Sequence, residues 1–168
     1  MKKDESTSNL QKPVQRLEGI RGVLFDLFDT LISTRGLHPS VTVEHLYRSL
    51  KKSGFNVEAS EFRRKYQESY RRYLCIRVEE LREVGNNIWV SSMLKSFGHH
   101  VDSEDPSVLR AVQAQFKPLV RSVRLLPYVS ETLMQISSRF KTGLVTNFTY
   151  APVVHQILRK LGISKFLQ

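Results

Sequence analysis

Two short segments of the chain hold residue types that can form and break covalent bonds. Asp26 lies in the apolar run Gly-Val-Leu-Phe-Asp-Leu-Phe of residues 22–28, and Thr146-Asn147 follow the run of residues 141–145. An aspartate at a strand end can attack an electrophilic carbon or phosphorus and form a covalent ester. A threonine hydroxyl and backbone amides can stabilise the negative charge that develops. The alternatives are structural, because Asp26 could cap a turn and Thr146-Asn147 could form an ordinary turn.

The sequence around these segments predicts the scaffold that positions them. Residues 22–28 have the length and near-continuous apolar character of a parallel strand that is covered on both faces, and residues 141–145 are predicted to be a second strand. Ligands of open parallel sheets bind beyond the carboxyl ends of the strands. We therefore predict that Gly22 to Asp26 and Thr142 to Val145 are adjacent parallel strands, with Asp26 and Thr146 at the same edge.

The chain between the two segments predicts helices only. Residues 39–120 contain four amphipathic patterns and no convincing strand. Asp105-Pro106 begin the fourth helix, and Pro118 is expected to end or bend it. The connections at Ser33 to His38 and Val123 to Pro127 are predicted to be hinge loops. The apolar stripes are Val43, Leu46, Tyr47 and Leu50; Phe62, Tyr66, Tyr70 and Tyr73; Trp89, Val90, Met93, Leu94 and Phe97; and Val108, Leu109, Val112, Phe116 and Leu119.

The composition is that of an ordinary globular protein with a basic balance. The 168 residues include 26 Lys and Arg against 16 Asp and Glu, a formal charge of +10, and 40% are hydrophobic. This excludes collagenous, fibrous and disulfide-stapled classes. No apolar run approaches the roughly 20 residues that span a bilayer, and the charged start predicts a cytoplasmic protein. The densest basic stretch, residues 61–73, is interleaved with acids and aromatics, so nucleic acid is disfavoured as a partner.

The cysteine and histidine residues predict no metal site. Cys75 is the only cysteine and has no neighbouring ligand at zinc-site spacing, so we expect a small buried thiol. His99-His100 follow Gly98 without an acidic or cysteine partner and are expected to form a solvated turn.

Taken together, the two segments resemble a known family. Residues 25–31, Phe-Asp-Leu-Phe-Asp-Thr-Leu, are similar to the first motif of the haloacid dehalogenase superfamily of hydrolases, and residues 143–147, Gly-Leu-Val-Thr-Asn, to its second. The helical insert resembles the family's cap, and Leu126-Pro127-Tyr128-Val129 resembles the return to the core. The resemblance implies an α/β fold, an incomplete Rossmann-like parallel sheet core with an inserted all-helical cap. It covers about residue 20 to the end and implies a first core strand (18–37), a cap (38–121) and a continued core (122–168), whereas the polar character of residues 1–17 predicts a mobile tail.

Carried over residue by residue, the resemblance implies a hydrolase that acts on a small molecule and needs no membrane. Asp26 would be the nucleophile, Thr30 would hold the loop after it, and Thr146 would hydrogen-bond the transferred group. Asn147 would shape the pocket beside it. Phosphatase members carry a second Asp two residues after the nucleophile, which is the general acid and base and whose backbone carbonyl helps to bind magnesium.

Phe28 stands at that position in this sequence. A phenyl ring cannot protonate a leaving alkoxide, and Asp29 should point the other way in an extended segment. An aromatic side chain here resembles the dehalogenase branch, in which a halide leaves without a proton. Phe28 is therefore assigned to substrate binding, and the substrate is a small organic acid or a phosphate ester. Magnesium is a possible cofactor, with Asp26 as its ligand if it is used.

The chain ends where the family would continue into its next strand. The third motif's lysine and the fourth motif's acidic pair would lie beyond Gln168, and Lys160 does not match that lysine. A sheet of two or three strands would leave an apolar face uncovered. We therefore expect a C-terminally truncated member. The alternative to the hydrolase is a non-catalytic fragment or a basic interaction module, and the oligomeric state is left open.

Overall fold

The secondary structure alternates between a small sheet and a large helical insert. The computed structural model describes residues 19–34 and 36–167, so the predicted tail of residues 1–17 lies outside the described residues. In the described part, no helix has the length and apolar character needed to cross a membrane. In chain order the elements are β1 (Gly22–Phe25), β2 (Ile32–Ser33), α1 (Pro39–Lys52), α2 (Ala59–Glu79), α3 (Asn86–Lys95), α4 (Pro106–Ser122), β3 (Arg124–Leu125), α5 (Val129–Ser137), β4 (Lys141–Leu144), α6 (Ala151–Lys160) and a 3-10 helix (Ser164–Phe166).

The core sheet pairs the two strands that the sequence predicts. β1 and β4 run parallel, in a register from Gly22 opposite Lys141 to Phe25 opposite Leu144. Helix α5 packs beside β4, and Leu133 of α5 and Ile157 of α6 are fully buried. The α/β class with a Rossmann-like parallel core and a helical cap is confirmed, whereas the domain boundaries stay a prediction.

The insert consists of α1 to α4, and the described residues between β2 and β3 contain no strand. Asp105 starts α4 as expected, because its carboxylate accepts a hydrogen bond from the Ser107 amide at 2.8 Å and Pro106 follows it. Hydrogen bonds from the Ser107 hydroxyl and amide hold the pKa of Asp105 below its ordinary value. Helix α1 packs along α4, and Leu46 and Val108 on the two helices are fully buried.

Of the two outcomes expected at Pro118, an end of the fourth helix is wrong, whereas a bend there stays a prediction. Helix α4 runs through this proline to Ser122. The proline removes one backbone donor, but the next turn is anchored by the buried side chains of Leu119 and Val120. In addition, Lys160 Nζ donates to the Val120 carbonyl at 2.6 Å, which satisfies one of the last acceptors of the helix.

The expected core stripe of α2 is only partly buried. Phe62 is buried and Tyr66 packs against Trp89 with ring centroids 5.1 Å apart, but Tyr70 is 55% exposed. Cys75 is exposed as well, so the expectation of a buried thiol is wrong. The reason is geometric, because α2 packs on its neighbours along one side only. Tyr70 lies four residues after Tyr66 and is therefore rotated about 40° further round the helix, away from that side.

The two connections between core and insert are not independent loops. β2 and β3 pair antiparallel, with Ile32 opposite Leu125 and Ser33 opposite Arg124. The Leu126 amide also donates to the Leu31 carbonyl at 3.0 Å. The segments predicted as hinges therefore include a short two-stranded ribbon, which ties the entry to the insert and the exit from it together.

Candidate active site

The end of the core sheet brings the two chemical segments to one edge. The Val145 amide donates to the Phe25 carbonyl at 2.9 Å, which extends the pairing of β1 and β4 by one residue. Asp26 directly follows Phe25 in the chain, and Thr146 directly follows Val145. Ligands of parallel sheets bind at this carboxyl edge. The fold therefore places the two predicted catalytic residues on neighbouring strand ends.

Asp26 is exposed, and its carboxylate is held from within its own loop. The Thr30 hydroxyl donates to Asp26 Oδ2 at 3.3 Å. The loop between them is fixed, because the Leu27 carbonyl accepts hydrogen bonds from the amides of Leu31 (2.9 Å) and Ile32 (3.0 Å), and all three of these side chains are buried. The carboxylate is thus oriented by one hydroxyl and is accessible to a small molecule.

The loop turns at Asp29 rather than staying extended. Asp29 has a left-handed backbone conformation with φ +57°, which Asp tolerates better than most residues. Its amide donates to the Ile32 carbonyl at 2.8 Å, which closes the turn. Asp29 therefore does not lie in an extended segment, and the alternation expected to point its side chain away from that of Phe28 does not apply here.

Thr146 carries an unsatisfied polar atom at the site. Its Oγ1 is buried and has no hydrogen-bond partner among the described residues. A buried hydroxyl without a partner costs about 1–3 kcal/mol, and a group that accepted a hydrogen bond from this atom would relieve that cost. The next residue, Asn147, is exposed at the same strand end. Together they can meet the oxygen atoms of an anionic group.

An aromatic cluster that the sequence reasoning missed joins both loops to the insert. The ring of Phe28 stacks on Phe148 with centroids 5.3 Å apart, and Phe116 of α4 meets Phe148 at 5.0 Å and Tyr150 at 6.3 Å. Burial, and secondly the nearby Glu104 carboxylate, raises the pKa of Tyr150. The available signal was the alternation of Thr146, Phe148 and Tyr150, since every second residue of an extended segment shares a side.

A polar contact reinforces this connection. The Thr149 hydroxyl donates to Asn86 Oδ1 at 2.5 Å, and Asn86, at the start of α3, is only 6% exposed. The segment after Thr146-Asn147 is therefore held by the insert through a hydrogen bond as well as through rings. Sequence alone offered no signal for a pair this far apart in the chain.

The sequence matches one known protein family. The model of the haloacid dehalogenase-like hydrolases matches residues 20–168. The chain belongs to the haloacid dehalogenase-like hydrolase family. The family assignment made from the sequence is therefore confirmed. Among curated proteins, none matches this sequence.

Solved structures of other haloacid dehalogenase-like hydrolases are similar to this chain at low identity. YfnB of Bacillus subtilis, a candidate HAD-hydrolase solved with bound magnesium, is 19% identical over 89% of this chain and 61% of its own, with a TM-score of 0.46. The 2-haloacid dehalogenase of Pseudomonas syringae pv. Tomato DC3000 is 18% identical over 88% of this chain and 61% of its own, with a TM-score of 0.47. This chain thus spans about three fifths of the length of these structures.

The donor set of this haloacid dehalogenase-like chain does not by itself fit magnesium. The described residues contain no group of three or more His, Cys, Asp and Glu side chains that could hold a metal ion. Magnesium usually keeps several waters and is bound through one or two carboxylates plus substrate oxygens, and Asp26 supplies one carboxylate of such a set. We assign no step to a metal, and the metal role of Asp26 stays a prediction.

Lys160 has a structural role in this haloacid dehalogenase-like chain. Its Nζ donates to the carbonyls of Val120 (2.6 Å) and Arg121 (3.0 Å) at the C-terminus of α4. A cation at this end of a helix offsets the partial negative charge of the free carbonyls. This position agrees with the sequence-based conclusion that Lys160 is not the family's site lysine.

Proposed function

We propose that Asp26 is the nucleophile of a hydrolase that forms a covalent ester with a small organic acid or a phosphate ester. The observation that carries the proposal is the buried, unpartnered Thr146 hydroxyl on the strand end beside an exposed carboxylate. An Asp26 oxygen would bond to the electrophilic carbon or phosphorus while the leaving group departs with its bonding electron pair. Water would then hydrolyse the ester, restore the carboxylate and release one proton to solvent.

Each neighbouring residue has a role that follows from its position. Thr30 orients the carboxylate through its hydrogen bond to Asp26. Thr146 donates to the anionic oxygen of the transferred group, where its hydroxyl gains the partner that it lacks. Asn147 shapes the exposed side of the pocket, and Phe28 contributes an apolar wall through its stack with Phe148.

The apolar wall restricts the leaving group. Proton donation to a leaving alkoxide contributes about a hundredfold to ten-thousandfold to a rate, and Phe28 cannot supply it. A halide departs without a proton. The leaving oxygen of a phosphate ester also departs without one when the leaving group is weakly basic. The proposed substrates are therefore 2-haloacids or activated phosphate esters, and simple alkyl phosphates are poor substrates.

The experiment follows the ester on Asp26. The chain, and any longer protein that contains it, is incubated with 2-chloropropionate or with p-nitrophenyl phosphate in water enriched in oxygen-18, and peptides are analysed by mass spectrometry. We expect an adduct on the peptide that contains Asp26, and its loss in Asp26→Asn. Asp29→Asn, in the same exposed loop, is the matched control and should keep the adduct.

The labelling pattern separates the two substrate classes. An alkyl ester is hydrolysed at the carboxyl carbon, which leaves oxygen-18 in Asp26, whereas attack at phosphorus places the label in inorganic phosphate. An adduct that persists in Asp26→Asn would remove the nucleophile assignment. If no adduct forms with either probe, the alternative of a non-catalytic interaction module is favoured. The cytoplasmic location stays a prediction that imaging of a tagged protein would check.

A further inference from the structure

The backbone pairing of the core sheet ends where the candidate site begins. The last hydrogen bond between the two strands joins the Val145 amide to the Phe25 carbonyl at 2.9 Å. Among the described residues, no further hydrogen bond joins residues 26–32 to residues 146–150. The sheet therefore places the backbones of Asp26 and Thr146, but it does not fix the course of the two loops that follow them.

A ring stack joins the two loops beyond that point. The rings of Phe28 and Phe148 lie 5.3 Å apart at an interplanar angle of 27°, the geometry of a stacked aromatic pair. Phe28 lies two residues after Asp26, and Phe148 lies two residues after Thr146. The stack therefore links the loops at the same distance along the chain from each candidate site residue.

Phe28 belongs to residues 27–32, which we call the Asp26 turn. The Leu27 carbonyl accepts hydrogen bonds from two amides further along this turn, and Asp29 has φ +57°. The Thr30 hydroxyl, in the same turn, donates to Asp26 Oδ2 at 3.3 Å, beyond the usual range of about 2.5–3.0 Å between two oxygens. A small displacement of the Asp26 turn would therefore break the hydrogen bond that orients the carboxylate.

Phe148 is itself held by the insert. Its ring meets that of Phe116 on α4 at 5.0 Å, and Phe116 is only 9% exposed. The next residue, Thr149, donates a hydrogen bond to Asn86 on α3. Within the described part of the chain, no other aromatic ring contacts both Phe28 and Phe116. The insert thus reaches the Asp26 turn through the Phe148 ring.

Packing alone would give Phe148 a different set of tolerated replacements. Phe28 and Phe148 are both half-buried at the margin of the apolar core, whereas Leu27 is fully buried. A leucine at position 148 would keep apolar contact with the core but could not stack on Phe28, and a tyrosine would keep the ring. Leucine and tyrosine at this position therefore separate the effect of the stack from that of apolar contact.

We propose that Phe148 is a positioning residue for the reaction at Asp26. By stacking on Phe28, it holds the Asp26 turn so that Thr30 keeps the carboxylate oriented towards the group that Thr146 binds. This inference rests on the proposed function, because it assumes that Asp26 attacks that group. It adds a physical link between the insert and the attacking carboxylate.

The first measurement needs no substrate. Amide hydrogen exchange at residues 27–32 of the full chain should become roughly twofold to tenfold faster in Phe148→Leu, the factor that corresponds to a lost aromatic stack, and should stay unchanged in Phe148→Tyr. Exchange at residues 22–25 and 142–145 should stay the same in both variants, because the sheet is intact. Phe97→Leu, at another half-buried ring of the insert, is the matched control and should leave residues 27–32 unchanged.

The second measurement is the rate of ester formation at Asp26 with 2-chloropropionate or p-nitrophenyl phosphate. Phe148→Leu should lower this rate roughly tenfold, because the carboxylate is misplaced, and Phe148→Tyr should restore it. Thr146→Val should lower the rate about a hundredfold in the original chain but less than about tenfold in Phe148→Leu, because the two residues act on one geometry. In the Phe97→Leu background the effect of Thr146→Val should stay about a hundredfold.

The outcomes distinguish a failure of this inference from a failure of the proposed function. Unchanged exchange at residues 27–32 in Phe148→Leu would overturn the positioning role, as would equal rates of ester formation in Phe148→Leu and Phe148→Tyr. A full hundredfold effect of Thr146→Val in the Phe148→Leu background would also overturn it. Absence of the ester from the original chain would overturn the proposed function alone if residues 27–32 still exchange faster in Phe148→Leu, since the hold on the turn is then measured without any reaction.

Discussion

In the proposed mechanism, Phe28 is the residue on which the reaction class depends. The family resemblance implies a proton donor at this position in phosphatases, and the Phe28 ring stacks on Phe148 with centroids 5.3 Å apart. A stack of this kind contributes about 0.5–1.5 kcal/mol beyond the area that it buries. The side chain therefore shapes the site in the absence of any proton transfer, and its replacement changes both packing and chemistry.

Phe28→Asp separates these two effects. If the site binds phosphate, the new carboxyl should raise turnover of a phosphate monoester by roughly a hundredfold, because it supplies the missing proton donor. Phe28→Asn loses the same stack without gaining an acid and should not raise turnover. Rates are measured for phosphates whose leaving groups differ in pKa. The rate should depend steeply on the leaving-group pKa in the original protein and less steeply in Phe28→Asp. Equal gains in both variants would show that packing, not proton donation, limits the rate.

A substitution at Thr146 should have different effects on ester formation and on the free energy of unfolding. Thr146→Val keeps the shape of the side chain and removes a buried hydroxyl that has no partner in the described structure. The free energy of unfolding should stay the same or rise by about 1 kcal/mol, because an unsatisfied polar group is lost. Ester formation at Asp26 should fall about a hundredfold, because the donor to the transferred group is lost. Urea unfolding and mass spectrometry test the two effects, and a large loss of stability would mean that the hydroxyl has a structural partner.

At the scale of elements, the insert controls the segment that follows β4. Thr149 is hydrogen-bonded to Asn86 on α3, and Phe148 and Tyr150 contact Phe116 on α4. Three consecutive residues are therefore held by two helices of the insert. A shift of those helices would move the neighbouring Thr146-Asn147 as well.

Asn86→Ala tests this coupling. The variant leaves the Thr149 hydroxyl without its acceptor and should cost about 1–3 kcal/mol of unfolding free energy. Amide hydrogen exchange at residues 146–150 should become faster than in the original chain, while exchange in α1 stays the same. Asn87→Ala is the control, because Asn87 bonds the exposed Glu104. Unchanged exchange at residues 146–150 would show that the aromatic contacts alone hold the segment.

At the scale of the whole molecule, the net charge of +10 acts against the compact state. Several basic residues are offset locally, as in the pairs of Arg64 with Glu68 at 2.5 Å and Arg48 with Glu44 at 2.8 Å. These pairs are exposed and are worth little, so the long-range repulsion should dominate.

The charge balance predicts how stability depends on salt. The melting temperature should rise when sodium chloride increases from about 0.02 M to 0.3 M, because the screening length falls below the separation of most charges. Replacing Arg71 and Arg72 by Gln should reduce this salt dependence, since both are exposed and neither has an ion pair within the described residues. A melting temperature that falls with salt would mean that ion pairs outweigh repulsion.

The sequence by itself predicted the core strands and the helices of the insert, and it named the candidate site residues. These predictions depend on residues that are close together in the chain, so their pattern could be interpreted directly. Examples are the apolar run before Asp26, the alternation of insert and core, and the helix start at Asp105-Pro106. The pairing of β1 with β4 followed, because two predicted parallel strands with polar ends have few other arrangements in an α/β fold. The expectation that the first strand is covered on both faces is wrong, because Leu24 of β1 is 71% exposed.

Only the tertiary structure decided which side chains meet and which stay in solvent. Asn86 and Thr149 are 63 residues apart, and Phe116 reaches Phe148 from a helix of the insert. The exposure of Tyr70 and Cys75 depends on where α1 and α3 lie beside α2, and the ribbon of β2 and β3 depends on both ends of the insert closing together. A local pattern fixes the face that a residue occupies on its element, whereas burial depends on which other element packs against that face.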